Sequence, residues 1–143
     1  MEITMPATPR LDAVLETGLY VADMARARRF YETVLQLEPM FDDHRMTAYP
    51  VGPSALLLFQ QGATHQTEVL PGGSIPPHRG AGGAHYAFAV AAASLDDWRS
   101  RLAAHEIDIE GEVRWPRGAV SVYFRDPDDN LLELVTPGIW ANY

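Results

Sequence analysis

Glu16, His85 and Glu133 are three potential metal ligands, each set into a strand-like run. Glu16 stands five residues before Val21 in ETGLYV, and His85 stands five before Val90 in HYAFAV. The two positions lie 69 residues apart at matching points of a repeat, and each run leads into an amphipathic helix. Glu133 interrupts the apolar run LLELV. Two carboxylates and a neutral imidazole nearly cancel the charge of a divalent ion. Such an oxygen-rich set suits manganese or magnesium, and the imidazole admits iron, cobalt, nickel and zinc. Three protein ligands leave positions open for a substrate with adjacent oxygens, where a bound ion would polarise a carbonyl. Each residue also has a plainer reading. Glu16 alone is an exposed carboxylate and His85 alone a hydrogen-bonded structural residue; the shared frame favours ligands. Glu133 among leucines needs a partner, and Arg125 is the competing candidate.

The elements that would position these groups follow from periodicity. Residues 13–21 read as a strand with Thr17, Leu19 and Val21 on one face and Glu16, Gly18 and Tyr20 on the other. Asp23 is a suitable N-cap for a helix over about 24–35, whose apolar stripe is Ala27, Phe30, Tyr31, Val34 and Leu35. Short strands fit 40–43, 45–51 and 55–60. The second half repeats the plan. A strand over 84–91 places His85, Ala87 and Ala89 on one face; Ser94 and Asp97 fit a capping box for a helix over 95–104; strands fit 109–115, 119–125 and 130–136. DPDDN reads as a tight turn, too short for a calcium loop. Between the halves, residues 61–83 carry six glycines and three prolines and read as a structureless linker or functional loop.

Composition narrows the class. The chain has 143 residues, 47% apolar and 21% charged, enough for a packed core in one domain. A formal charge of −8 disfavours nucleic-acid binding. There is no cysteine, so disulfides, thiolate metal sites and cysteine nucleophiles are excluded. No apolar run approaches the roughly 20 residues of a membrane span. The start, MEITMPATPRLDA, lacks a secretory pattern, so a cytoplasmic location is expected.

The stretches LYVADMARARRFYETVLQL, GGAHYAFAV and YFRDPDDNLLELVTP resemble the vicinal oxygen chelate superfamily, which includes glyoxalase I, fosfomycin-resistance proteins, extradiol dioxygenases and bleomycin-resistance proteins. The resemblance implies an α+β fold of two tandem βαβββ modules whose curved mixed sheets wrap a cleft. It divides the chain, as a single domain, into module one at about 12–60, the linker 61–83, module two at about 84–137 and a tail at 138–143. It assigns Glu16, His85 and Glu133 as metal ligands, with Leu57 or Leu58 at the non-ligating fourth position. Glu16 departs from the histidine more common there. In a glyoxalase-like reaction Glu16 or Glu133 is the general base; epoxide opening and catechol oxidation remain open, as does a metal-free, drug-sequestering role. Arg117 and Arg125 are candidates to hold an anionic substrate group. Tyr20, Tyr49, Tyr123 and Trp115 are candidates to line the cleft, and His65, His78 and Arg79 to form a lid. A small-molecule substrate and a homodimer are implied, with Glu16 facing His85 and Glu133 of its mate if the site crosses the interface.

Overall fold

The computed structural model describes residues 8–143. The fold is α+β. Module one comprises β1 (Glu16–Val21), α1 (Met24–Arg29), β2 (Phe41–Asp42), β3 (Met46–Val51) and β4 (Ser54–Gln60). Its sheet runs β1-β4-β3-β2, with β1 parallel to β4. A hairpin, β5 (Glu68–Leu70) and β6 (Gly73–Ile75), occupies the stretch expected to be structureless. Module two comprises β7 (His85–Ala89), α2 (Leu95–Ala104), β8 (Gly111–Arg114), β9 (Val120–Arg125) and β10 (Leu131–Val135), in the order β7-β10-β9-β8 with β7 parallel to β10. The two sheets repeat one topology. No helix among the described residues is long and apolar enough to cross a membrane.

Period two holds through the strands of both modules. Leu19 and Val21 of β1, Leu56 and Leu58 of β4, and Leu132 and Leu134 of β10 all point to the helices and are buried. They join Phe30, Tyr31, Leu102 and Phe124 in one hydrophobic cluster drawn from both modules. Removing a side chain such as Leu132 to alanine there costs about 2–5 kcal/mol. The register also settles the position equivalent to Glu133. Glu16 lies opposite Ala55 and His85 opposite Leu131, so Leu57 corresponds to Glu133.

Two helix expectations change in detail. Asp23 caps α1, its Oδ1 accepting from the Arg26 amide at 3.1 Å. The helix then widens into a π-turn over Phe30–Val34, closed by the Leu35 amide on the Phe30 carbonyl. Phe30, Tyr31, Val34 and Leu35 all turn inward, as the expected stripe has them. Ser94 makes no capping bond. A 3₁₀ turn at Ala92–Ser94 precedes α2, and the Ser94 hydroxyl donates back to the Ala91 carbonyl. Tyr49 also differs from expectation. It pairs across from Leu56 on the helix side, is fully buried and donates to Glu32 at 2.9 Å, so it lines no cleft.

The DPDDN turn joins the modules. Asp126 is buried, and its carboxylate accepts from the Tyr31 hydroxyl at 2.7 Å, the Asp128 and Asn130 amides at 2.9 Å and the Asn130 side chain at 2.8 Å. The Asn130 Oδ1 accepts from the Ala84 amide at 2.9 Å, just ahead of β7. Asp128 reaches the end of β1, accepting from the Ala22 amide and from Arg26. Gly82 approaches the Asp128 carbonyl so closely that a Cβ has no room. Burial, reinforced by the Asp126 charge, holds the Tyr31 phenol well above its ordinary value.

Asn130→Ala strands the Ala84 amide and part of Asp126, and is expected to cost about 2–4 kcal/mol in urea unfolding. Tyr31 also sets an alkaline limit. Its proton is held more tightly in the folded state, so its contribution is complete below the unfolded value of about 10 and declines as pH rises through that value. Tyr31→Phe is expected to flatten the fall in stability above about pH 10.

Candidate functional site

Module two brings together His85, Glu133, Tyr123 and Trp115 from the residues singled out by the sequence. His85 opens β7 and Glu133 lies diagonally across on β10, both on the face away from the helices. The His85 Nε2 is 3.2 Å from Glu133 Oε1. Its Nδ1 is 2.9 Å from the Leu131 carbonyl. A carbonyl only accepts, so Nδ1 carries a proton, and the neutral ring then presents its Nε2 lone pair to the carboxylate. Two acceptors facing each other at this distance need a shared proton or a cation between them.

Glu133 is 4% exposed, whereas the His85 side chain is 52% exposed. The second carboxylate oxygen, Oε2, accepts from the Ser121 hydroxyl at 2.5 Å, and that hydroxyl accepts from the Trp115 indole N–H at 2.8 Å. Tyr123 lies directly opposite Glu133, its ring stacked beside His85 with centroids 6.2 Å apart. Burial and then the Glu133 charge raise the Tyr123 phenol. Tyr123 thus faces Glu133, and Trp115 reaches it through Ser121. Ser121 is an addition. Strand alternation places it on the same face two residues before Tyr123, a signal already present in SVYFR.

The remaining residues fall elsewhere. Arg125 does not pair with Glu133; its guanidinium engages Glu110 at 3.2 Å and the Asp129 carbonyl at 3.2 Å. Arg117 is exposed in the turn between β8 and β9. Among the described residues no three His, Asp or Glu side chains of one chain are grouped to hold an ion, so Glu16 does not join His85 and Glu133 within a protomer.

Glu16 instead lines a separate cleft of about 400 Å³ on module one, with Tyr20, Arg45, Leu57, Phe59 and His78. The Tyr20 hydroxyl is 2.5 Å from His78 Nδ1, and the His78 ring packs edge-on against Phe59 at 4.6 Å. The loop is tied down at this point, the Thr64 hydroxyl donating to the His78 carbonyl at 2.6 Å. His78 thus belongs to the cleft wall, while His65 and Arg79 are exposed. Arg45 is the second residue that the sequence reading misses; nothing in DDHRM marks it as buried.

Repeated βαβββ modules of this topology point to a family. Residues 10–134 match the glyoxalase/bleomycin resistance protein/dioxygenase superfamily, and the chain belongs to it. It is similar to lactoylglutathione lyase from Agrobacterium tumefaciens, with 32% identity, a TM-score of 0.83, and coverage of 93% of this chain and 99% of that one. It is 24% identical to the metallothiol transferase FosB of Staphylococcus saprophyticus over 81% of this chain and 71% of that protein. The fold also matches the fosfomycin resistance protein FosX from Mesorhizobium loti, with 22% identity, a TM-score of 0.60, and coverage of 90% and 93% respectively.

The two members of the pair differ in what they do for the fold. In metal-free protein, Ser121→Ala strips a hydroxyl from a buried carboxylate and is expected to cost about 1–3 kcal/mol in urea unfolding. His85→Ala removes a half-exposed, solvent-screened partner and is expected to cost less than about 1 kcal/mol.

Proposed function

We propose that the chain is a metal-dependent enzyme acting on a small molecule with adjacent oxygens, with lyase chemistry favoured. We further propose that the site is completed by pairing two copies. His85 and Glu133 of one protomer would hold a divalent ion (manganese, iron, nickel, cobalt, zinc or magnesium) together with Glu16 of the partner subunit. The observation that carries this reading is the Nε2–Oε1 approach of 3.2 Å on an open sheet face, two donors already oriented toward one point. The donor set fits such an ion. The Leu131 carbonyl fixes the imidazole tautomer and Ser121 fixes the carboxylate, the outer support that ligands require.

Pairing is supported by module one. Its first strand presents Glu16, Thr17 and Gly18 to solvent, and the segment leading into it exposes Leu11, Val14 and Leu15, which are 99%, 72% and 71% exposed. Apolar side chains clustered at one strand entry suit a protein interface. A two-fold pairing that sets module one of each copy against module two of the other forms two equivalent sites.

When bound, the ion would act as a Lewis acid on a substrate oxygen. The protein's own groups divide the remaining work. Glu133 is clamped by Ser121 and buried, which suits a fixed ligand. Glu16 is exposed and makes no side-chain hydrogen bond among the described residues, so its carboxylate is the better placed to take a proton from a carbon beside the polarised carbonyl. Tyr123 and Trp115 would wall the substrate on the module-two side. Arg117, exposed in the turn between β8 and β9, and Arg125, engaged by Glu110, would be secondary anion contacts. Similarity to a lyase supports the reaction class, and similarity to a protein named a metallothiol transferase supports the metal. A cytoplasmic location belongs to the same proposal.

Glu133→Gln is expected to lose most of the metal that reconstituted wild-type protein retains through gel filtration, read by elemental analysis. Full retention would sink the assignment. Glu16→Gln and Glu133→Gln proteins, each defective, should recover on mixing about a quarter of the wild-type metal capacity, because a mixed dimer holds one intact site. A protein that stays monomeric at micromolar concentration rules out the shared site. Failure of wild-type protein to take up any of the six metals would favour a metal-free binding protein instead.

A further inference from the structure

We infer that Arg45 is the anion-recognising group of the module-one cleft, and that this cleft takes a small organic carboxylate with an apolar body. Arg45 is 6% exposed and lines the cleft. Its Nε is buried without a hydrogen-bond partner. The nearest carboxylate oxygen, on Glu68, is 3.6 Å away, close enough to offset charge but too far for a hydrogen bond. A buried guanidinium with an unsatisfied donor is costly to keep and contributes little to the fold. Nε itself has no accessible surface, so a ligand would meet the terminal nitrogens, which make no hydrogen bond among the described residues and are not sealed off as Nε is; the residue is therefore better explained by a ligand at that edge than by stability.

The surroundings define that ligand. With Glu68 beside Arg45 and Glu16 lining the same cleft, the three formal charges sum to −1, so recognition rests on the directed donors of Arg45 and not on net positive charge, which disfavours a phosphate dianion more than a monoanionic carboxylate. A guanidinium edge matches a planar carboxylate through two parallel hydrogen bonds. The other walls are apolar or aromatic: Met46, Leu57, and Tyr20 and Phe59 with ring centroids 5.7 Å apart. His78, held between Tyr20 and Phe59, adds a polar edge. The loop carrying His78 seats Gly80 against the Tyr20 ring, where a Cβ has no room, so this wall is close-packed. The carboxylate site stands on these contacts alone. Its role in turnover rests on the paired-site reading above, in which Glu16 brings the bound molecule to the metal ligands of the mate.

The test uses full-length protein in chelator, so its result does not depend on metal. Benzoate, benzamide and inorganic phosphate are the probes, read by thermal shift and calorimetric titration. Benzoate is expected to bind and raise the melting temperature, with benzamide and phosphate binding at least about tenfold more weakly. Arg45→Met should lose about tenfold or more in benzoate affinity while melting, without ligand, at or above the wild-type temperature. Arg45→Lys keeps the charge without the fork and should fall between. Equal binding of benzoate and benzamide, no response to benzoate, tighter binding of phosphate, or wild-type benzoate affinity in Arg45→Met would each overturn the proposal. If Arg45→Met fails to fold, the probe comparison on wild type and the Arg45→Lys variant carry the decision. Loss of metal binding with benzoate binding intact would refute the enzyme reading alone.

Discussion

Asp126 is the constraint on which the two-module arrangement depends. Among the described residues no cation pairs with its buried carboxylate; four hydrogen bonds satisfy it, one of them from Tyr31 of the opposite module. A charge buried in this way is tolerable only while every partner stays in place. The same turn passes the Ala84 amide to Asn130 and the Ala22 amide to Asp128, so the starts of β7 and α1 are set by one short segment. The position of His85, one residue after Ala84, follows directly.

The two modules share a topology but carry different chemistry. Module two holds a carboxylate at the centre of its last strand, supported by Ser121, Trp115 and His85. Module one has Leu57 at the equivalent register and therefore no second carboxylate there. In its place it has a cleft with Arg45, His78 and aromatic walls. On the reading proposed above, the duplication would separate into a half for an ion and a half for an organic molecule, and pairing two copies would set one against the other.

Much of this was legible in the chain because period two is a strong signal. The facing of Glu16, His85 and Glu133, the inward leucines, the Asp23 cap and the tight DPDDN turn all follow from local pattern. The failures have local causes as well. Residue type alone makes Tyr49 a cleft candidate, but its pairing with Leu56 directs it to the core. Glycine and proline suggested a structureless 61–83, yet Leu70–Gly73 forms a hairpin turn and the glycines at 80 and 82 permit close packing. Ser94 lost its cap to a 3₁₀ turn that no residue there announces. Arg45 and the Tyr31–Asp126 bond depend on contacts far apart in sequence, which no local pattern encodes.

The π-turn at Phe30–Val34 carries two residues that bond in opposite directions. Tyr31 donates to Asp126 of module two, while Glu32 accepts from Tyr49 on β3 of module one. One irregular turn therefore ties the inner face of its own sheet to the connecting turn of the other. A change in its winding would be felt in both halves at once, although it alters no strand.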